Sequence, residues 1–454
     1  MPRLVHSPSD FLQPEPLVLD RENRRDFVSP FLLLFALSCF LPYPALAIGN
    51  HNGLQLGETL ALLTLPLALV RPPTRALAIY VLYFIPITVS ALISMMSVGW
   101  NPSDLLIKEM TSTFIAVTVI TLSPRLVEGG FPRKVINLAA VAILVHVGVG
   151  ILQVYSFNNN EFPLLFLYKN PSFKPMESWA EVYATYIKRP CGLFPEPSAM
   201  TASLGPWLIL ICGVLFNAEA RRRLAPSKFS RLLLGASLVG GLLLVGLSRS
   251  GLAPAILAGV VIVVAAQWKS SSLQGSAVGM VSGGLAALAA ALGLVYMVWI
   301  LQAGLDARFE SSWGLRLASI ITALTANTEP LPFLFGVGPG QSSVVVRSLL
   351  AGMPIPDGEA EMTLWSVSIA YYMDTGLLGA ISLGTMAAVS LWSITRSSAM
   401  LLGIVAMGIW WVGITVITSY GHLSAVWLFL GFLLQWERIF PPLEASSQEA
   451  NRGD

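Results

Sequence analysis

The sequence has little charge. Asp, Glu, Lys and Arg make up only 11% of its 454 residues, while hydrophobic residues make up 55%, and the mean hydropathy is +0.70. A soluble globular protein has about a quarter of its residues charged. This composition therefore excludes an ordinary soluble domain and predicts an integral membrane protein. The net charge of +2 argues against a nucleic-acid partner, because such proteins carry strongly basic surfaces.

Cysteine and metal-binding patterns are also scarce. Cys39 and Cys212 lie in apolar runs and only Cys191 lies at a polar edge, so the three cysteines predict neither a disulfide framework nor a metal motif. The chain contains no Gly-rich nucleotide loop, no serine-hydrolase elbow and no Asp-x-Asp pair of the kind that a metal-dependent nucleotide-sugar enzyme uses. We therefore expect neither a metal nor another cofactor.

Long apolar runs dominate what remains. At about 20 residues per span, they predict an all-α, polytopic integral membrane protein of about 12 transmembrane helices, and the alternating pattern of a membrane barrel is absent. The first 26 residues are polar and end in "LDRENRRD", which does not resemble a cleavable signal peptide. The sequence therefore divides into a cytoplasmic tail at 1–26, a polytopic membrane domain at 27–437 and a polar tail at 438–454. The predicted spans cover residues 27–48, 55–70, 76–97, 106–122, 135–156, 197–216, 232–248, 251–267, 276–302, 362–394, 400–418 and 423–437.

Lysine and arginine are distributed unevenly between the predicted loops. If the N-terminus is cytoplasmic, the inner segments carry 18 of the 27 basic residues, as expected because basic residues resist translocation. Both termini are then cytoplasmic. Most of the remaining basic residues gather on three outer segments: the loop at about 157–196, the short turn "GLSRSGLAP", and a large periplasmic loop at about 303–361 between the ninth and tenth predicted spans.

The outer arginines indicate a site for an anion. Arg249 lies between two serines in the short turn, Arg316 lies in the first turn of the amphipathic stretch "GLRLASIITAL", and Arg308 lies upstream. Each arginine alone is compatible with a snorkelling anchor or a solvated loop charge. Arginines delivered by three outer segments favour a diphosphate site, because a guanidinium forms two parallel hydrogen bonds with phosphate. The turn "GVGPG" is more typical of a tight structural turn than of a phosphate cradle.

Carboxylates stand near the end of the large loop. Asp357, Glu359 and Glu361 precede a predicted helix, where they could complement the helix N-terminus or supply a general base. Asp374 lies inside the predicted span, where an ionisable side chain is functional by default or pairs with a neighbouring helix. His146 also lies inside a predicted span, and we interpret it as a packing residue rather than a ligand.

Four stretches between about residues 189 and 380 resemble the bacterial O-antigen polymerase/O-antigen ligase superfamily. They are "RPCGLFPEPSAMTASL" at the start of the sixth predicted span, "LSRSGLAPAIL", "GLRLASIITAL" followed by "PLPFLFGVGPG", and "LWSVSIAYYMDTGLLGAISL". The order and spacing of these short motifs carry the resemblance. It implies an enzyme that joins saccharides carried on undecaprenyl diphosphate at the periplasmic face, without metal or nucleotide sugar.

The resemblance also implies roles for individual residues. Arg249 and Arg316 match arginines that hold the donor diphosphate and stabilise it as the leaving group. Arg189 matches a cation that precedes the sixth span, and Glu196 matches the acidic residue of the same motif. The predicted substrate-binding set is Lys188, Arg189, Glu196, Arg249, Arg308 and Arg316.

The base that activates the acceptor hydroxyl departs from the family pattern. Ligases of the superfamily have a histidine in the large loop, just before the helix that ends in "GLLG". Trp365 falls near that place here, and the large loop contains no histidine. Glu361 and Glu359 are the nearest candidates, so they are predicted to be catalytic together with Arg316. The missing histidine favours a polymerase over a ligase.

The sequence thus predicts a metal-independent polysaccharide polymerase of the bacterial inner membrane, which joins undecaprenyl-diphosphate-linked repeat units at the periplasmic face. One alternative is a ligase that transfers the glycan to lipid A core or to protein. Another is a transporter of an anionic lipid-linked solute. The expected partners are the lipid-linked oligosaccharide, membrane lipid, a flippase and a chain-length regulator.

Overall fold

Most of the apolar runs form helices, and the described chain is predominantly α-helical. The computed structural model describes residues 28–43, 45–48, 52–70, 74–97, 104–128, 131–168, 180–268, 320–325, 329–342, 345–346, 366–417 and 423–442. The helices are α1 (Val28–Ser38), α2 (Leu56–Val70), α3 (Thr74–Ser97), α4 (Asp104–Glu128), α5 (Pro132–Phe157), α6 (Pro197–Phe216), α7 (Ala218–Leu224), α8 (Lys228–Ser248), α9 (Ala253–Trp268), α10 (Pro330–Phe335), α11 (Val367–Thr395), α12 (Met400–Val412), α13 (Ser424–Leu433) and α14 (Trp436–Ile439).

Within these ranges, 5 helices are long and apolar enough to cross a membrane. They are α5, α6, α8, α11 and the stretch Met110–Val127 of α4. Shorter apolar stretches occur in α3, α9, α12 and α13. The predicted helices are confirmed at these places. The predicted ninth span at 276–302, the tail at 1–26 and most of the tail at 438–454 lie outside the described residues, so the total of about 12 spans stays a prediction.

The first predicted span, residues 27–48, is wrong in its second half. α1 ends at Ser38, whose hydroxyl donates to the carbonyl oxygen of Phe35 at 2.7 Å. A hairpin follows, in which β1 (Ala45–Ile48) pairs antiparallel with β2 (Asn52–Gln55). Pro42 and Pro44 lie between the helix and the hairpin, and proline cannot continue a helix because it lacks the amide hydrogen. Hydropathy alone does not distinguish this apolar extended segment from a longer helix.

α6 is the central helix of the bundle. Its side chains are buried from Pro197 to Val214, as its nearly uniform apolar surface requires. Trp207 is packed edge-on against Phe40, Phe429 and Phe432, with ring centroids 5.3, 5.1 and 5.1 Å away. α5, α8, α9 and α12 also pack against α6. The residues at the start of α6 are therefore held in position by the helices that pack around it.

Hydrogen bonds show which helix ends lie together. Ser250, just after α8, contacts Thr201 in the first turns of α6 through their hydroxyl oxygens, 2.7 Å apart. At the start of α11, Ser368 donates to Thr415 Oγ1 at 3.1 Å. A side chain on Gly413, two positions before Thr415, would contact Ala202 of α6. We call this end of the bundle the mouth end: the last turn of α5, residues 180–201, the α8–α9 turn and the start of α11.

Basic side chains concentrate at the other end of the bundle. There Ser230, near the start of α8, donates to Asn137 of α5 at 2.8 Å. The guanidinium groups of Arg221 and Arg231 donate to the carbonyl oxygens of Leu215 and Ala225, both at 3.1 Å. Of the basic side chains that the structure describes, Lys188, Arg189 and Arg249 lie at the mouth end, whereas Arg125, Arg133, Lys134, Arg221, Arg222, Arg223, Lys228, Arg231, Arg396 and Arg438 lie at the other end.

Candidate functional site

The segment 188–196 leads into α6 through a compact turn at the mouth end. Lys188 and Gly192 have left-handed backbone conformations, with φ of 47° and 58°. A left-handed residue reverses the chain locally, so the segment folds back on itself before α6 begins. Its two cations, Lys188 and Arg189, are exposed, whereas residues 190–195 are buried. The turn therefore presents positive charge while its backbone is held inside the protein.

Gln153 of α5 holds this backbone. Its side-chain oxygen accepts the N–H groups of Cys191 and Gly192, both at 3.0 Å. Its Nε2 donates to the carbonyl oxygen of Gly192 at 3.0 Å and to the Tyr168 hydroxyl at 2.7 Å. The Tyr168 hydroxyl donates in turn to the same carbonyl oxygen. Buried polar groups are costly unless they are hydrogen-bonded, so this closed network fixes one conformation of the turn.

His146 provides a second attachment for the segment. The backbone N–H of Leu193 donates to His146 Nδ1 at 3.0 Å, so Nδ1 carries no hydrogen. Nε2 then carries the hydrogen and donates to the carbonyl oxygen of Phe40 at 2.9 Å. A side chain on Gly192 would lie 2.7 Å from Nδ1, so only glycine fits there. His146 is a buried link between α1, α5 and the segment that precedes α6.

Glu196 lies where this segment becomes α6. It occupies the N-cap position with an extended backbone, φ −156° and ψ 163°, yet its side chain does not cap the helix. The hydroxyl of Ser198 donates to Glu196 Oε1, and Pro197 at the first helical position has no N–H to offer. The residue is half-buried. The carboxylate is thus held at the boundary between the interior and the mouth end.

Burial raises the pKa of the Cys191 thiol to about 12. The amide of Gln153 opposes this effect, and the charge of Glu196 adds to it. We therefore predict that a maleimide reagent at pH 7.5 leaves Cys191 unmodified in the folded protein and labels it after denaturation in SDS, because only the thiolate reacts. Cys39 and Cys212 are buried as well.

A cysteine at the exposed position 181, in the variant Glu181→Cys, is the positive control because it lies in the same loop. Mass spectrometry of the labelled peptides measures both sites in one sample. Rapid labelling of Cys191 under native conditions would show that the segment does not dock against Gln153.

Arg249 is presented by the turn between α8 and α9. It follows the last residue of α8 in a left-handed conformation, φ 50° and ψ 30°, and its side chain is exposed. The flanking serines stabilise the turn: Ser248 Oγ donates to the carbonyl oxygen of Val245 at 2.6 Å, and Ser250 Oγ contacts Thr201. Thr201 is five positions after Glu196, little more than one helical turn. Arg249 therefore lies against the same end of α6 as Glu196.

The glycine turn at 336–342 is occupied by a side chain of the protein itself. The two carboxylate oxygens of Asp374, in α11, accept the N–H groups of Gly340 and Ser342 at 3.0 and 2.8 Å. The N–H of Gly338 donates to the backbone oxygen of Asp374 at 3.2 Å. A phosphate cradle needs its N–H groups for the ligand, and these are already bonded. The turn is structural in the described chain.

The helix that receives this turn is broken at Gly376. Its φ of 64° and ψ of −155° interrupt α11, which the sequence predicts as one continuous span. Ser90 of α3 donates to the backbone oxygen of Asp374 at 2.5 Å, next to the break. A side chain on Gly376 would lie 2.5 Å from the backbone nitrogen atoms of Phe335 and Gly336. The close approach of two backbones requires glycine at this position.

The structure places only part of the predicted site. Lys188, Arg189, Glu196 and Arg249 lie at the mouth end. The other predicted residues, Arg308, Arg316, Glu359 and Glu361, lie outside the described residues. The predicted amphipathic helix is described as a helix over 320–325, where Ala323 packs with Val346 and Met373.

Sequence reasoning missed Gln153, Tyr168 and the Thr201–Ser250 contact. Gln153 carried a visible signal, because it is a polar residue inside the apolar run "GVGILQVY" and such residues need a partner. Its backbone partners, Cys191 and Gly192, are 38 and 39 positions away, and local patterns do not reveal them.

Comparison with known proteins assigns the chain to no family. No family model matches the sequence, and no curated protein is significantly similar to it. Its function is therefore inferred from the chemistry of the mouth end together with the sequence motifs.

Proposed function

We propose that the protein is a polysaccharide polymerase of the O-antigen polymerase/ligase type, which joins repeat units carried on undecaprenyl diphosphate. The supporting observation is the contact between Thr201 and Ser250, 2.7 Å between hydroxyl oxygens. It joins the turn that carries Arg249 to the start of α6, which follows Arg189 and Glu196. Two motifs that are distant in sequence thereby meet at one end of the bundle.

The proposed chemistry needs cations that face solvent. Displacement of a glycosyl diphosphate breaks the bond between the anomeric carbon and a phosphate oxygen, so negative charge grows on the leaving diphosphate. A preformed guanidinium stabilises that charge, and arginine can do so through two parallel hydrogen bonds. Arg249 and Arg189 are exposed on fixed turns, as this role requires. The reaction needs no redox step and no cofactor.

We propose that the mouth end faces the periplasm and that the chain crosses the bacterial inner membrane about 12 times. The supporting feature is the concentration of described basic side chains at the other end, including Arg221, Arg222 and Arg223 of α7. Basic segments stay on the cytoplasmic side because they resist translocation. Both termini are cytoplasmic in this arrangement, and a flippase and a chain-length regulator are the proposed partners.

A transporter of an anionic lipid-linked solute is the second candidate. The break in α11 at Gly376 favours it, because transporters bind solutes at discontinuous helices near the middle of the membrane. Two observations oppose it. The N–H groups of Gly340 and Ser342, in the turn that packs against the broken helix, already donate to the carboxylate of Asp374. The proposed anion-binding cations, Arg189 and Arg249, lie at the mouth end. A ligase acting on lipid A core or protein would use the same donor chemistry and differs in its acceptor.

Reconstitution of the purified full-length protein separates the three activities. Proteoliposomes containing the lipid-linked repeat unit are incubated in EDTA and the products are resolved by gel electrophoresis. A ladder of longer lipid-linked glycans is expected for the polymerase. Transfer to added lipid A core alone would identify a ligase, and translocation of intact donor without a new glycosidic bond would identify a transporter. Either of the last two outcomes contradicts the proposal.

A further inference from the structure

We infer that Glu196 is the general base that accepts the proton of the acceptor hydroxyl in the proposed transfer. This inference rests on the proposed function and moves the base from the large loop to the start of α6. It gives Glu196 a different role from diphosphate binding, which its negative charge would oppose.

Among the described carboxylates at or near the mouth end, Glu196 has a distinctive environment. Glu161, Glu181 and Glu329 are exposed, so water surrounds them and screens their interactions. Glu58 and Asp374 are buried, and their carboxylates accept backbone N–H groups: that of Gln55 for Glu58, and those of Gly340 and Ser342 for Asp374. Glu196 is half-buried and lies at the same end of α6 as the turn that presents Arg249. A general base must be fixed in position and still be reached by substrate, and Glu196 meets both conditions.

The local structure also holds the carboxylate in the form that a base needs. Glu196 stands at the N-terminus of α6, a helix of 20 residues, where the helix dipole favours negative charge. The Ser198 hydroxyl donates to Oε1, a bond that a carboxylate can accept while its other oxygen is presented to a substrate. The side chain does not cap the helix. Ser198 therefore holds one carboxylate oxygen, and the backbone N–H groups of the first turn do not cap onto the side chain.

The bonds and charges of the step balance without a further reactant. The acceptor hydroxyl transfers its proton to a carboxylate oxygen of Glu196 while its oxygen forms a bond with the anomeric carbon of the donor. The bond between that carbon and the phosphate oxygen breaks, and its electron pair leaves with the diphosphate. Arg249 compensates the charge that develops there. The proton then passes from Glu196 to solvent at the mouth end.

The test compares Glu196→Gln, Glu196→Asp and the control Glu181→Gln in the full-length reconstituted protein. We expect Glu196→Gln to lower kcat about 10²- to 10⁴-fold with little change in KM, because glutamine keeps the shape and accepts no proton. The wild-type rate should rise with pH as the base ionises, and this acid limb should be absent in Glu196→Gln. Glu196→Asp should restore part of kcat together with the acid limb. Glu181→Gln should behave as the wild type.

Two further measurements keep the inference open to refutation. Protection of Cys191 from maleimide reports whether each variant keeps the docked segment. If Glu196→Gln loses this protection, Ser198→Ala decides: removal of the hydroxyl that holds the carboxylate should lower kcat with little change in KM, and an unchanged kcat overturns the inference.

The failure of this inference differs from the failure of the proposed function. Activity of Glu196→Gln within threefold of wild type, with its acid limb intact, refutes Glu196 as the base. Loss of the acid limb in Glu361→Gln with its retention in Glu196→Gln places the base in the large loop. In both cases the wild type still forms polymer and Arg249→Ala does not. Absence of polymer from the wild type refutes the proposed function itself.

Discussion

Replacement of Arg249 by alanine is expected to lower the rate of chain extension about 10²- to 10³-fold, as the loss of about 3–4 kcal/mol of transition-state stabilisation implies. Single lipid-linked repeat units should accumulate in their place. The effect is large because the side chain is exposed at the mouth end and has no described structural bond to lose. The left-handed backbone at this position costs arginine and alanine similar strain. The change therefore removes charge with little change to the turn.

The measurement is the length distribution of lipid-linked glycan formed by the reconstituted protein. Arg249→Lys keeps the charge and loses the planar pair of donors, so we expect an intermediate rate. Arg223→Ala is the matched control, because Arg223 is also exposed but lies on α7 at the other end of the bundle. Polymer of wild-type length from Arg249→Ala would contradict the assignment of the diphosphate site.

Asp374→Ala is expected to have the largest effect on stability. It leaves the N–H groups of Gly340 and Ser342 without their carboxylate acceptors. Hydrogen bonds to a charged group contribute about 1.5–3 kcal/mol each, so the loss should exceed about 2 kcal/mol even if the two bonds are not additive. The glycine turn should separate from α11. Thermal unfolding in nanodiscs, followed by tryptophan fluorescence, should show a lower Tm.

Two variants serve as controls for this effect. Ser342→Ala removes a hydroxyl and keeps the backbone N–H that Asp374 accepts, so its Tm should stay near that of the wild type. Asp374→Asn keeps one acceptor oxygen but turns an N–H₂ group toward the other donor, so it should be intermediate. If Asp374→Ala unfolds at the wild-type temperature, the carboxylate does not anchor the turn.

The sequence predicts the regular helices well because their signals are local. The predicted span 197–216 coincides with α6 (Pro197–Phe216), where proline at the first position marks the start. The predicted span 135–156 falls within α5 (Pro132–Phe157). The break in α11 was not predicted, because it is imposed by the backbone near Gly336, about forty positions away from Gly376. The hairpin after α1 was missed for a different reason, since its first strand, β1 (Ala45–Ile48), is as apolar as a helix.

The candidate site was also predictable only in part. Charge patterns alone indicate Arg189 and Arg249, since basic residues on the predicted outer side are unusual. The contact that brings their segments together joins residues 49 positions apart, and no local motif encodes it. Glu196 was predicted as part of a motif, but its environment depends on how α6, the α8–α9 turn and the preceding segment meet. Only the fold supplies that information.

Asp374 illustrates how an irregular segment can exist beside apolar helices. Hydrocarbon offers no solvent to bond a bare amide, so non-helical backbone must find acceptors within the protein. Here one carboxylate accepts two backbone N–H groups that would donate to water molecules at an aqueous surface. An acidic residue in the middle of a hydrophobic sequence can therefore replace missing hydration, and it need not mark the route of an ion or a proton.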